Sequence, residues 1–128
     1  MRDEQVRRYA RHVLLPDVGG LGQTALLVAT VRVDANDAAG AVAATYLAAG
    51  GIGTLVIDDA PEPQRETLAA INPDCHVVRE AAPETRVATV SLPTTPHWWP
   101  RCPGDEVAAA FWRGGAAATQ TMARIVDR

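Results

Sequence analysis

The sequence predicts a single α/β domain: a mostly parallel sheet in a small three-layer sandwich, preceded by helical segments. Three observations predict it. Residues 30–34 carry valine at 31 and 33, an Ala-rich run follows over 37–49, and a β-rich run TLVID follows over 54–58. Strand, helix and strand in that order make two parallel neighbours joined by a right-handed crossover. Upstream, Val6, Tyr9, Ala10, Val13 and Leu14 recur on one side of a helix. The chain has 128 residues, 48% of them hydrophobic, which is enough apolar material for one core and one domain.

Taken in order, residues 3–15 read as a helix that Pro16 and the run GGLG terminate. Residues 23–29 form a second short helix, so 1–29 is an N-terminal helical segment and 30–128 the α/β core. In the helix 37–49 Asp37 stands at the N-cap position, and Gly50, Gly51 and Gly53 punctuate the turn that follows. Pro61 and Pro63 open a helix through 64–71, which Asn72 and Pro73 stop. Strand candidates are 76–79 and 86–92. Residues 93–104 are a loop containing HWWPRCPG, and 105–126 is helical with an interruption expected at Gly114 and Gly115. Between the last two strands only 80–85 is available. A parallel crossover normally needs about a dozen residues, so the strand order beyond the second strand stays open, with an antiparallel edge as one alternative.

Composition excludes several functions. The net charge is −3 and the pI about 5.5, with no basic footprint for nucleic acid. No apolar run approaches the roughly 20 residues of a membrane span, and the opening MRDEQVRR lacks the apolar region of a signal peptide. A cytoplasmic location is the expectation. Cys75 and Cys102 form no CxxC pair and no metal spacing. All 12 basic residues other than histidine are arginine. Without lysine, P-loop phosphate chemistry and Schiff-base catalysis are excluded.

The run RYARHVLLPDVGGLGQ from Arg8 to Gln23, the stretch VAATYLAAGGIGTLVIDD ending at Asp59, and INPD at 71–74 resemble the ThiF/MoeB/HesA family, bacterial relatives of ubiquitin-activating (E1) enzymes. The resemblance implies a minimal Rossmann-like core and ATP-dependent adenylation with magnesium. It also implies a ubiquitin-like sulfur carrier as partner, and a homodimer. The chain departs from the pattern where the chemistry lies. The family's GxGGLG falls on Ala35, Asn36, Asp37, Ala38, Ala39 and Gly40, and only the last glycine is kept. The segment after VDDD that holds the family's catalytic arginine is shortened to 60–70. The family's lysine is missing, and so are the paired CxxC motifs that hold structural zinc in many relatives.

Residue by residue, the resemblance assigns Asp58 to the nucleotide ribose and Arg11 to the position that reaches a partner's nucleotide site. It also makes Cys102 the analogue of a thioester cysteine. Each has a plainer reading. Asp58 can be a turn residue, Arg11 a structural salt bridge, and Cys102 an ordinary loop thiol. Asp37 can cap the helix, join a remnant phosphate site with Gly40, or bind a cation together with Asp34. Like charges about 4 Å apart repel by about 4 kcal/mol at an effective dielectric near 20, so Asp34 and Asp37 oppose a triphosphate. His97, Trp98 and Trp99 either cap the core near Phe111 and Trp112 or form a partner surface. Cys75 reads as a small core residue.

The expectation is therefore a degenerate adenylyltransferase-like domain with no resident cofactor, acting as a binding or scaffold partner of a ubiquitin-like carrier, a peptide or an active homologue. The alternative is a nucleotide-binding adenylyltransferase with a non-standard site, completed by a partner subunit. A reductase-type dinucleotide domain shares the strand–helix–strand unit but not the RYARH run. The small-residue faces 43–50 and 114–118 permit close helix packing, and a homodimer is expected.

Overall fold

The computed structural model describes residues 1–97 and 104–127. The N-terminal helical run is divided into α1 (Asp3–Arg8) and α2 (Ala10–Val13), then come α3 (Gly19–Val28), β1 (Thr30–Arg32), α4 (Ala38–Gly50), β2 (Thr54–Val56) and α5 (Glu62–Ile71). The chain continues through β3 (His76–Val78), β4 (Val87–Thr89) and α6 (Asp105–Val126). The four strands form one sheet in the order β3-β2-β1-β4, and all three pairings are parallel. The antiparallel edge left open by the sequence does not occur.

The short connection explains how β4 reaches its place without a helix. Residues 79–86 must cross three strand spacings, about 14 Å, and return along a three-residue strand. Eight extended residues span up to about 26–29 Å. This connection contains no helix. It makes a tight turn on the way, with the Thr85 N–H bonded to the Ala82 carbonyl and Glu84 in the left-handed region at φ 65°.

One sheet face carries the core. Val77, Leu55, Val31 and Ala88 lie side by side in the register. They pack with Ala43, Ala44 and Leu47 of α4, Leu68 of α5, and Ala118 and Ile125 of α6. The alternate positions Thr54, Thr30, Arg32 and Thr89 stay partly or fully exposed on the other face, although Val56 among them is fully buried. Alternation of apolar and polar residues is what a sheet with one helical layer and one thin cover requires.

Two boundaries differ from the sequence reading, each for a packing reason. Gly19, Gly20 and Gly22 do not end a helix but lie at the start of α3. Gly22 is buried, and a Cβ there would come within 2.8 Å of Val126 in α6. Gly114 and Gly115 do not interrupt α6, which runs unbroken for 22 residues. A Cβ on Gly114 would collide with the Ala39 carbonyl and lie 2.7 Å from the Val42 Cβ. The glycine permits α4 and α6 to touch backbone to side chain, and this contact outweighs its low helix propensity. Ala43, Ala44, Ala48, Gly114, Ala117 and Ala118 are thus buried inside the chain, while Ala49 is exposed and Gly115 and Ala116 are half-buried. No described helix is long and apolar enough to cross a membrane.

Candidate functional site

In an open α/β sheet the ligand crevice lies at the carboxyl ends of the strands, where the connections diverge. Here that point is between β1 and β4. A crevice of about 210 Å³ opens there, and Arg32, Asp34, Asn36, Asp58, Asp59 and Thr89 are among its lining residues. The structure brings together four of the residues singled out from the sequence: Asp34, Asp37, Gly40 and Asp58. Asp34 and Asp37 come from the β1–α4 connection, Gly40 from the first turn of α4, and Asp58 from the segment just after β2.

Each is already engaged. The Asp37 carboxylate accepts a hydrogen bond of 2.7 Å from the Gly40 N–H and is the N-cap of α4. The Asp34 carboxylate accepts from the Asn36 N–H at 3.1 Å, which folds the loop back on itself. Asp58 forms an ion pair with Arg32 of β1. Gly40 is kept for close packing: a Cβ there would strike the Asp34 carbonyl. A helix N-terminus attracts anions because its first N–H groups are unpaired and its dipole is positive. A fixed carboxylate now takes one of those N–H groups and supplies the negative charge itself. Side chains at 35–39 stand where glycines would let a phosphate approach the backbone. The residues present do not fit a triphosphate.

Arg11 lies elsewhere. It is exposed on α2, next to His12, whose Nδ1 is 2.9 Å from the Gln23 Oε1. The Gln23 amide in turn donates to the Gly50 carbonyl at the far end of α4. Twelve residue rises separate that end from the start of α4, about 18 Å, so Arg11 does not reach the crevice of its own chain. The salt bridge expected for Arg11 is also absent: it has no ion pair among the described residues. His97 is exposed at the end of the loop after β4. Trp98, Trp99 and Cys102 lie outside the described residues. Cys75 is buried, and burial pushes its thiol up to about 11, so it stays protonated and unreactive at neutral pH. Among the described residues no group of three or more metal-ligating side chains is placed to hold an ion.

The sequence reading missed a second cluster. Tyr9, 1% exposed, breaks the first helix because its ring turns inward. Its hydroxyl accepts from the Asn72 amide at 2.7 Å and donates to Asp74 Oδ2 at 3.3 Å. The same Asn72 amide donates to the Ala48 carbonyl at 2.7 Å, and the Asn72 side-chain oxygen accepts from the Asp74 N–H at 3.0 Å. Arg2 (2.8 Å), Gln5 (3.2 Å) and Arg8 complete the shell of Asp74. Burial alone would raise the Asp74 carboxyl. The hydrogen bond from Gln5 and the charge and bond of Arg8 outweigh it and hold the group below its ordinary value. Burial, with the Asp74 charge adding to it, pushes the Tyr9 phenol up against the bond from Asn72. RYARH, the Gln23 of GLGQ, and INPD are therefore one lock. It ties the N-terminal helices and the start of β3 to the C-terminal end of α4.

An apolar cleft of about 440 Å³ lies beside this lock, between the α2–α3 turn and the ends of α4 and α6. Leu15, Tyr46, Ala49, Met122 and Val126 line it. Its lining is mostly apolar, with His12, Asp17, Thr119 and Asp127 also bordering it.

No family model matches the chain. Curated proteins do match over its partial length. It is 46% identical over 56 residues to the probable adenylyltransferase/sulfurtransferase MoeZ of Mycobacterium tuberculosis (strain ATCC 25618 / H37Rv), covering 44% of this chain and 14% of that protein. It is 42% identical over 64 residues to the SAMP-activating enzyme E1 of Haloferax volcanii, covering 50% of this chain and 24% of the relative. It is 42% identical over 59 residues to the sulfur carrier protein ThiS adenylyltransferase of Escherichia coli (strain K12), covering 46% and 24%. The matched stretch therefore spans no more than 24% of the length of these relatives. Together with the parallel sheet in the order β3-β2-β1-β4, these partial matches support a relationship to ThiF/MoeB/HesA-type, E1-like adenylyltransferases.

Proposed function

We propose that this chain is a ThiF/MoeB/HesA-like domain that has given up adenylation, uses neither ATP nor magnesium, and works by binding a protein. The partner class is a ubiquitin-like sulfur carrier, a peptide or an active homologue. Two relatives are named for such substrates, a SAMP-activating enzyme and a ThiS adenylyltransferase, and that naming supports the class.

The observation that carries the reading is the Asp37 carboxylate on the Gly40 N–H. A nucleotide would have to displace a 2.7 Å charge-assisted bond and then accept Asp37 and Asp34 as neighbours of its phosphates. Two further features support it. Arg32 occupies the carboxylate of Asp58, the group that would hold a ribose. The chain has no lysine to neutralise a triphosphate. Exposed apolar side chains support protein binding: Leu14, Leu21 and Tyr46 stand out from the α2–α3 segment and α4.

The test is pyrophosphate exchange into ATP, with a panel of ubiquitin-like carriers and with the protein alone. The reading expects no exchange above background, and carrier binding that is indifferent to ATP. Exchange that depends on a carrier would overturn it and return the chain to the enzymes.

A further inference from the structure

The apolar cleft between the α2–α3 turn and the ends of α4 and α6 has a polar border of one chemical kind. Its volume of about 440 Å³ lies within the roughly 300–1,000 Å³ of small-molecule sites. The polar side chains around its apolar walls are His12, Asp17, Tyr46, Thr119 and Asp127. Hydrogen bonds already made fix what each can still do. The Gly50 carbonyl can only accept, so the Gln23 side-chain nitrogen faces it, and Gln23 Oε1 is turned to His12 Nδ1 at 2.9 Å. That oxygen can only accept as well, so Nδ1 carries the proton. In the neutral ring Nε2 is then an acceptor. The Thr119 hydroxyl donates to the Gly115 carbonyl at 2.9 Å and keeps lone pairs for a ligand. Asp17 and Asp127 are exposed and have no ion pair among the described residues. No arginine lines the cleft among the described residues. The Tyr46 phenol is the one side chain of the border left with a proton to donate.

We propose that this cleft is a binding site for a compact aromatic amine, with the ring against Met122 and Tyr46 and the ammonium toward Asp17 and Asp127. An ammonium brings three donors and a positive charge, and the border offers acceptors and unpaired carboxylates. A carboxylate or phosphate ligand would instead meet two negative charges and no arginine. A thioether and a phenol ring are both favourable neighbours of an aromatic ring, and the face of the phenol also attracts a cation.

The cleft borders Gly50, at the end of α4 away from the Asp37 cap. It shares no lining residue with the strand-end crevice. The inference therefore stands whether or not the crevice binds nucleotide, and whether or not the chain has a protein partner.

The test uses three indoles of similar shape and different charge: indole-3-ethylamine, 3-ethylindole and indole-3-propionate. The chain has 2 methionines. Met122 lines the cleft and Met1 does not, so methyl-labelled methionine gives one NMR reporter and one control. Titration at about pH 8 keeps the imidazole neutral and the amine charged. The Met122 signal should shift and saturate with the amine, at a Kd of about 1 mM or tighter, while Met1 stays still. The propionate should bind about tenfold more weakly, with the neutral indole between them. An exposed charge contact is worth up to about fivefold, and two carboxylates act together here. Asp17→Asn combined with Asp127→Asn should bring the three affinities to within about twofold. Ala49→Phe, at an exposed position on the cleft wall, should abolish the shift and leave the thermal melt unchanged. No Met122 shift at about 10 mM amine would overturn the proposal. Equal affinity of the wild type for all three probes would do so too, since the cleft would then be an unselective apolar surface. So would a preference for the amine that survives the double substitution. A Met122 signal that moves on dilution of the protein alone would give the cleft to a second copy of the chain and end the proposal.

Discussion

At the residue scale, Asn72 and Asp74 hold more of the structure than any catalytic candidate does. Asn72 is 1% exposed and uses both its amide and its oxygen. Asn72→Ala removes the donor to Tyr9, the acceptor of the Asp74 N–H, and one of the two donors to the Ala48 carbonyl, which keeps the Gly51 N–H. An unsatisfied buried group costs about 1–3 kcal/mol, so urea denaturation should show a loss of about 2–4 kcal/mol. An unchanged midpoint would mean that the lock is decorative. Asp74 predicts the acid limb of stability. Its folded value lies below its ordinary one, so it contributes fully above the unfolded value of about 3.9. That contribution is lost as the pH falls through the folded value. Denaturation midpoints should be flat from neutral to about pH 5 and fall below about pH 4. Asp74→Asn should lower the neutral plateau and flatten the acid limb. These residues were visible in the sequence as members of motifs, but their role was not. Nothing in the spacing of Tyr9, Gln23 and Asn72 shows that three distant sites meet at the end of one helix. By contrast Asp37 was legible as a cap, because capping is local chemistry between residues three apart.

At the scale of elements, the pair α4 and α6 organises the molecule. The contact depends on Gly114 lying against the Ala39 carbonyl and Val42. Gly114→Ala raises helix propensity by about 1 kcal/mol but overpacks a tight contact, which costs about 1–3 kcal/mol. Gly114→Val should be worse still, since it adds more bulk for a smaller propensity gain. Thermal melts of the two variants check the order. If both are as stable as the wild type, the helices are not held by this contact. The strand–helix–strand unit could be read from sequence because its periodicity changes sharply at Asp37 and at Gly51. Gly51 is the C-cap of α4 at φ 97°, the left-handed position that glycine favours. The course of α6 could not be read that way, since a glycine pair looks the same whether it breaks a helix or admits a neighbour. The parallel placement of β4 was hidden for a related reason. Crossover lengths are usually judged by the helix they contain, whereas eight extended residues cover the distance.

At the scale of the whole molecule, a Rossmann-like frame carries an aspartate carboxylate bonded to the Gly40 N–H at the start of its first crossover helix. The frame is maintained by the motifs shared with adenylyltransferases, which here serve packing and a buried polar lock. The crevice at the strand ends keeps its position at the divergence of β1 and β4 but presents aspartates where glycine backbone would be needed. Function on such a fold is set by the site and not by the frame. Conversion back to an anion site is a test of that statement, and Asp37→Gly with Asp34→Asn is the smallest change that removes both charges. The central claim, however, is decided most directly on the unmodified protein, by calorimetric titration with Mg-ATP. The account predicts no binding tighter than about 1 mM, near −4 kcal/mol. Micromolar binding that Asp58→Ala abolishes would contradict it, because the crevice would then still recognise a nucleotide through the carboxylate that Arg32 now holds.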